Sequence, residues 1–167
     1  MIEKHPFEPF VPEQSEILIL GSFPGKESTQ EKRDDDWFYG ANRNQFWKII
    51  ELVYEKELKT KANKQSLFKN LKIAITDIIE SCERKDNKNS DKNLFNKKYN
   101  GEIEKILNKH QIKRILFTSK TVYHEFLENF NKPKNAELIV LPSPSPIYRR
   151  LSLQDKTQEY KKHLPEL

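Results

Sequence analysis

Glu16-Ile17-Leu18-Ile19-Leu20-Gly21-Ser22-Phe23-Pro24-Gly25 is the stretch from which the rest of the chain can be read. Four consecutive β-favouring apolar residues, Ile17 to Leu20, run straight into Gly-Ser-Phe-Pro-Gly, which predicts a short strand, apolar on both faces, ending abruptly in a tight loop. Strands of that kind belong to parallel sheets covered by helices on both sides. Ligands bind such sheets beyond the carboxyl ends of the strands, so chemistry is expected at residues 21 to 25.

Before this strand, Pro6, Pro9 and Pro12 alternate with Phe7, Phe10 and Val11. Prolines that close together forbid a helix, so residues 1 to 15 are expected to form an extended arm covering an edge of the core. After the loop, residues 26 to 36 are polar and carry Asp34-Asp35-Asp36, expected as a mobile connection. Neighbouring carboxylates on an irregular loop seldom converge on one ion, so the triplet is not read as a magnesium site. From Phe46 the apolar residues fall at Phe46, Trp47, Ile49, Ile50, Val53 and Tyr54, the spacing of a buried helical face. Asn42 with Gln45 fits an N-cap and its reciprocal partner, which would put Asn44 in the first turn.

Ile73 to Ile79 predicts the second strand with its outgoing turn, and the Lys, Asn, Asp and Ser of 85 to 100 a solvated loop. A helix follows from Glu102 to Lys109. The third strand is Arg114 to Thr118, with a helix burying Val122, Tyr123, Phe126, Leu127 and Phe130. The fourth strand, Leu138 to Leu141, breaks at Pro142-Ser143-Pro144-Ser145-Pro146, and Ser152 with Asp155 opens a last helix to about His163. Strands alternating with helices define an α/β fold: three α/β/α layers with a short, mostly parallel four-stranded sheet. Both special loops, at 21 to 25 and 142 to 146, then open on the same edge.

At 167 residues and 35% hydrophobic content, one domain spanning 1–167 is expected. No run approaches the roughly 18 apolar residues that mark a membrane span, and Met1-Ile2-Glu3-Lys4-His5 lacks a signal-peptide core, so a cytoplasmic protein is expected. The single cysteine, Cys82, leaves no internal disulfide or multi-cysteine cluster, and four histidines without ligand-like spacing give the expectation of no metal. A net charge of +5 suits a polyanion captured by steering and counterion release, and equally suits a solvated lysine-rich surface. Charge alone leaves both open.

Five blocks, in order, carry a resemblance: His5-Pro6-Phe7-Glu8-Pro9; Gly21 to Gly25; Phe38-Tyr39 through Asn44-Gln45-Phe46-Trp47; Asp77 with Ser81-Cys82-Glu83-Arg84; and Leu141 to Pro146. Together, over residues 5 to 160, they resemble the uracil-DNA glycosylase superfamily, and within it the hypoxanthine-DNA (deoxyinosine) glycosylase branch. The resemblance implies a monofunctional enzyme that hydrolyses the N-glycosidic bond of a deaminated base in DNA, hypoxanthine or else uracil or xanthine, leaving an abasic site. It implies no cofactor and a DNA partner, without membrane or metal, and the chain is expected to act as a monomer. Chemistry on a base requires flipping it out of the stack, positioning water, donors for the departing base and a hold on the flanking phosphates.

The superfamily's usual Asp or Asn in the first motif is replaced here by Phe23, which cannot orient water through its side chain. In the branch resembled, that burden falls on Asn44, with Ser22 beside it; Asn44 reads otherwise as a supplementary cap. Phe23, Pro24, Gly25, Tyr39 and Asp77 are the candidates for holding the base, with Phe23 and Tyr39 as stacking walls or core, and Asp77 as a reader of the base edge or a helix cap. Leu141 stands where a His or Asn usually stabilises charge on the base, so backbone N–H groups near Ser22 and Phe23 are candidate donors. Ser143, Pro144 and Ser145 match phosphate-contacting serines. Ile147, Tyr148, Arg149 and Arg150 occupy the place of a wedge and its phosphate contacts, or form a solvated turn. Cys82 is read as a packed thiol and Arg84 as structural or phosphate-facing. Two readings compete with catalysis: a protein of this fold that binds damaged or single-stranded DNA without chemistry, and an unrelated α/β hydrolase-like or nucleotide-binding enzyme.

Overall fold

A computed structural model describes residues 1–167. In chain order it contains β1 (Ile2–Lys4), β2 (Ile17–Gly21), α1 (Lys26–Thr29), α2 (Phe46–Tyr54), α3 (Lys61–Leu71), β3 (Ile73–Asp77), β4 (Ile79–Arg84), β5 (Leu94–Tyr99), α4 (Glu102–Lys109), β6 (Arg114–Phe117), α5 (Lys120–Asn129), β7 (Glu137–Val140) and α6 (Leu153–His163). The four-stranded sheet runs β3-β2-β6-β7 and every neighbouring pair is parallel. All five residues of β2 are buried, as expected of a central strand.

Alternation along the strands sends side chains into two separate cores. Ile17, Ile19, Ile73, Ile75, Leu116 and Ile139 pack with Phe46, Ile49 and Ile50 of α2, Phe68 of α3 and Tyr160 of α6. Leu18, Leu20, Ala74, Ile115 and Phe117 face the other way, onto Ile103 and Ile106 of α4 and Val122 and Phe126 of α5. Each such side chain, fully buried, contributes on the order of 1.5–3 kcal/mol. The molecule therefore has the three layers expected. Registers Gly21↔Asp77 and Leu20↔Phe117 bring the ends of β2, β3 and β6 level, so their exits share one edge.

Three expectations are corrected. First, part of the supposed arm and the supposed loop form a second, antiparallel sheet, β1-β4-β5, so residues 79 to 84 and 94 to 99 are strands. Its register shifts between Ile79 and Glu83 and its many exposed polar positions erase the period-2 signal. Second, α2 begins at Phe46 with Gln45 as N-cap; Asn42 is exposed, and Asn44 precedes the helix instead of lying in its first turn. Third, α1 forms a helical turn inside the stretch expected to be a mobile connection, held in part by Asn89 Oδ1 accepting from Lys26 N. The lysine-rich stretch before β3, where the sequence suits one short helix and loops, holds α3, a helix of 11 residues opened by a Thr60/Asn63 capping box. The Ser152 cap of α6 stands as read, its Oγ accepting from Asp155 N at 3.0 Å.

Candidate active site at the carboxyl edge of the parallel sheet

Gly21, the last residue of β2, forms the centre of this edge. A Cβ there would lie 2.6 Å from Asp77 Oδ1 and would collide with the Tyr39 hydroxyl, so only glycine lets the two polar groups converge over the strand end. Asp77 comes from the end of β3 and is buried. His5 Nε2 lies 2.7 Å from Asp77 Oδ2, while His5 Nδ1 accepts from Phe7 N at 3.1 Å. A ring nitrogen that accepts a backbone N–H carries no proton, so the proton resides on Nε2 and is donated to Asp77. One carboxylate oxygen is thus committed to His5 and the other is left over Gly21.

Tyr39 reaches this point from a strained backbone, with φ of +58°, a region that costs a bulky residue energy unless the surroundings impose it. Its ring stacks on Phe46 at 4.1 Å, and its hydroxyl lies 3.0 Å from Thr118 Oγ1 at the end of β6. Burial first, then the Asp77 charge, push the hydroxyl well above the usual phenol range, which keeps its proton in place. Phe23 is half-buried, edge-on to His5 with ring centroids 5.7 Å apart, and the Arg84 guanidinium lies 6.0 Å from its ring centroid. Pro24 is buried and its carbonyl accepts from Arg84 at 3.0 Å; Gly25 caps α1. Ser22 Oγ donates to Asp91 Oδ1 at 2.8 Å, and burial raises the Asp91 carboxyl.

The second half of the site is joined to the first through α2. Asn44 is half-buried, and its Oδ1 accepts from Phe46 N at 2.9 Å. Next to it, Gln45 N donates to Pro144 O at 2.8 Å, clamping the Asn44 segment to the proline–serine turn. That turn is self-braced: Ser143 Oγ accepts from Ser145 N, and Ser145 Oγ from Ile147 N. Ile147, Arg149 and Arg150 are exposed and Tyr148 is half-buried, while Leu141 is buried in the core and does not line the edge.

The structure therefore gathers Gly21, Phe23, Tyr39 and Asp77 in one group, and Asn44, Pro144 and Ser145 in another, on the same edge. Tyr39 bridges them by stacking on Phe46, the first residue of α2. Two surface depressions, one at the amino edge of the sheet around Leu107 and Ile112 and one beside α3 around Leu58, lie apart from both groups. Asp35 accepts from Lys61 N and Asp36 from Trp37 N, so the acidic triplet does not converge, and no three His, Cys, Asp or Glu side chains are grouped to hold a metal. Burial pushes the Cys82 thiol up to about 11, as befits a packed, unreactive thiol.

Sequence reasoning missed His5 as the partner of Asp77, although it stood inside a quoted block. It also missed Thr118, Gln45, Asp91 and Lys156. A lysine sharing a helical face with Tyr160 four residues on was the one available signal for the last.

An α/β/α molecule with convergent polar groups at the carboxyl edge of its parallel sheet, and a proline-stiffened serine turn beside exposed arginines, belongs to a class whose ligands enter at that edge. A family model described as the uracil DNA glycosylase superfamily matches residues 8–167. The chain is 30% identical over 128 residues to a hypoxanthine DNA glycosylase of Methanosarcina barkeri, covering 64% of this chain and 78% of that protein. It is 30% identical over 96 residues to a hypoxanthine DNA glycosylase of Methanosarcina acetivorans, covering 52% and 54%, so this second match spans about half of either protein. A solution NMR structure from Methanosarcina acetivorans, provisionally designated a uracil DNA glycosylase, superposes with a TM-score of 0.64 at 23% identity over 97% of this chain and 98% of that one, a likeness of fold. This chain belongs to the uracil DNA glycosylase superfamily.

Proposed function

We propose that the protein removes hypoxanthine from DNA, hydrolysing the bond between the base and C1′ of deoxyribose and leaving an abasic site. The observation that carries this reading is the His5–Asp77 pair over Gly21. With Oδ2 held by His5 at 2.7 Å, Oδ1 is an oriented acceptor for a lactam N–H. Hypoxanthine presents such an N–H, as do uracil and xanthine. Adenine and cytosine present a lone pair at the equivalent position and would be repelled. The names of the two Methanosarcina relatives favour hypoxanthine among the three.

In this mechanism water adds to C1′ as the C1′–N bond breaks, its oxygen going to the sugar, and the departing base carries away the bonding pair and takes up a proton. Asn44 orients the water. Its Oδ1 has two lone pairs; one is engaged by Phe46 N and the other remains for a water O–H, so capping and catalysis are compatible uses of one oxygen. Backbone N–H groups of Ser22 and Phe23 receive the charge on the base, Phe23 and Tyr39 flank its ring, and Ser143, Ser145, Arg149 and Arg150 hold the flanking phosphates.

The test is a duplex carrying one deoxyinosine, followed by alkaline cleavage, run beside deoxyuridine, deoxyxanthosine and undamaged duplexes. Cleavage at inosine by the wild type is expected. Asp77→Asn presents an N–H towards the base and should lower kcat/KM on deoxyinosine roughly 10- to 150-fold, the worth of a hydrogen bond to a charged group. Tight binding without any abasic product would favour the DNA-binding reading, which the replacement of the usual Asp by Phe23 and of the usual His by a core-buried Leu141 makes concrete.

A further inference from the structure

Lys156 is 1% exposed, and both hydrogen bonds of its ammonium go to neutral oxygens, Gln45 Oε1 at 2.8 Å and Ser145 O at 3.1 Å. The Tyr148 ring centroid lies 5.4 Å from the same nitrogen. A buried cation without a carboxylate is costly. The position makes it costlier, because Lys156 lies in the first turn of α6, where the helix dipole is itself positive. Asp155, the acidic residue of that turn, is exposed and caps through its backbone N–H. Stability alone would be served as well by an apolar side chain, so the retained charge points to an anion that is absent from the free protein.

The three groups around the ammonium identify that anion. They are Gln45, next to Asn44, Ser145, the second serine of the turn, and Tyr148, the aromatic that follows it. Resting on the glycosylase reading above, we infer that Lys156 is a positioning residue whose counter-ion is a DNA backbone phosphate seated on the Ser143–Ser145 turn. Phosphate capture then draws the turn and the Asn44 segment together through one ammonium. Burial lowers the Lys156 ammonium below the ordinary lysine value, and an arriving phosphate would raise it again.

Lys156→Met keeps the length of the side chain and removes the charge. With undamaged duplex, the slope of log binding constant against log salt should become shallower by about 0.9, the share of one phosphate. On the deoxyinosine duplex, kcat/KM should fall roughly 10- to 150-fold, with Lys156→Arg restoring the slope. In the wild type, the Lys156 Nζ resonance should shift when undamaged duplex is added. A wild-type slope in folded Lys156→Met overturns the inference whatever its activity, and if that variant does not fold, an Nζ resonance indifferent to duplex does so. Neither readout needs base release, so a wild type inactive on deoxyinosine sinks the glycosylase reading and leaves this one to its own measurements.

Discussion

A single amide, Asn44, bears the catalytic proposal, and one hydrogen bond sets where its oxygen stands. The Phe46 N–H fixes its oxygen just ahead of α2, where the positive end of the helix favours a partly negative water. Asn44→Ala should lower kcat on deoxyinosine about 100-fold, the loss that a misplaced attacking water brings, while costing about 1 kcal/mol of stability from the lost cap-like bond. Single-turnover kinetics and urea denaturation separate the two effects. Strand cleavage undiminished in that variant removes Asn44 from the mechanism. Gly21 makes a complementary case: Gly21→Ala must displace the Tyr39 hydroxyl or the Asp77 carboxylate, so it should lower kcat/KM on deoxyinosine at least tenfold. At this scale the sequence was informative about residue types and silent about partners. Asn44, Tyr39 and Asp77 could be picked out, whereas the His5–Asp77 bond joins positions 72 residues apart and leaves no local trace.

The proline–serine turn after β7 is held in shape from several sides. Ser143 and Ser145 brace the backbone from within, Gln45 N and Lys156 Nζ hold it from below, and Arg149 and Arg150 are left in solvent. The double variant Arg149→Ala with Arg150→Ala should flatten the salt dependence of duplex binding by about 0.9 for each phosphate lost, without a change in the thermal midpoint. An unchanged slope, measured by fluorescence anisotropy across a salt series, would move the DNA face elsewhere. β2 and β6 were legible as short continuous apolar runs, α2 from the spacing of its apolar face, and α6 from its Ser152/Asp155 capping box. β4 and β5 were not, because bulged antiparallel strands with one wet face look locally like polar loop.

Across the whole molecule, the second sheet is fastened to the site by one buried ion pair. Arg84 donates to both carboxylate oxygens of Glu3, Nε to Oε2 at 3.0 Å, and to Pro24 O, tying β1 and β4 to the loop that carries Phe23. Burial works to raise the Glu3 carboxyl, but hydrogen bonds from Arg84 and Thr29 and the Arg84 charge outweigh it and leave the group below its ordinary value. A carboxyl depressed on folding contributes stability above its unfolded pKa of about 4.3, and that contribution is lost as pH falls through the lower folded value. Glu3→Gln should therefore cost about 3–5 kcal/mol at neutral pH, by leaving Arg84 buried and unpaired, and should blunt the acid-side loss. Urea denaturation between pH 6 and 3 measures both; parallel curves for the two proteins would dismiss the pair as a stabilising link.

By itself the sequence determined the α/β class, the four parallel strands, both special loops and their common edge, because these follow from short-range periodicity and from the direction in which parallel strands end. Only the tertiary structure decided that His5 sets the orientation of Asp77, that Gln45 and Lys156 join the Asn44 segment to the serine turn, and that three stretches of polar sequence make a second sheet. Each of those depends on groups brought together from distant parts of the chain, where a hydrogen bond or a buried charge is worth having only after the fold has excluded water around it.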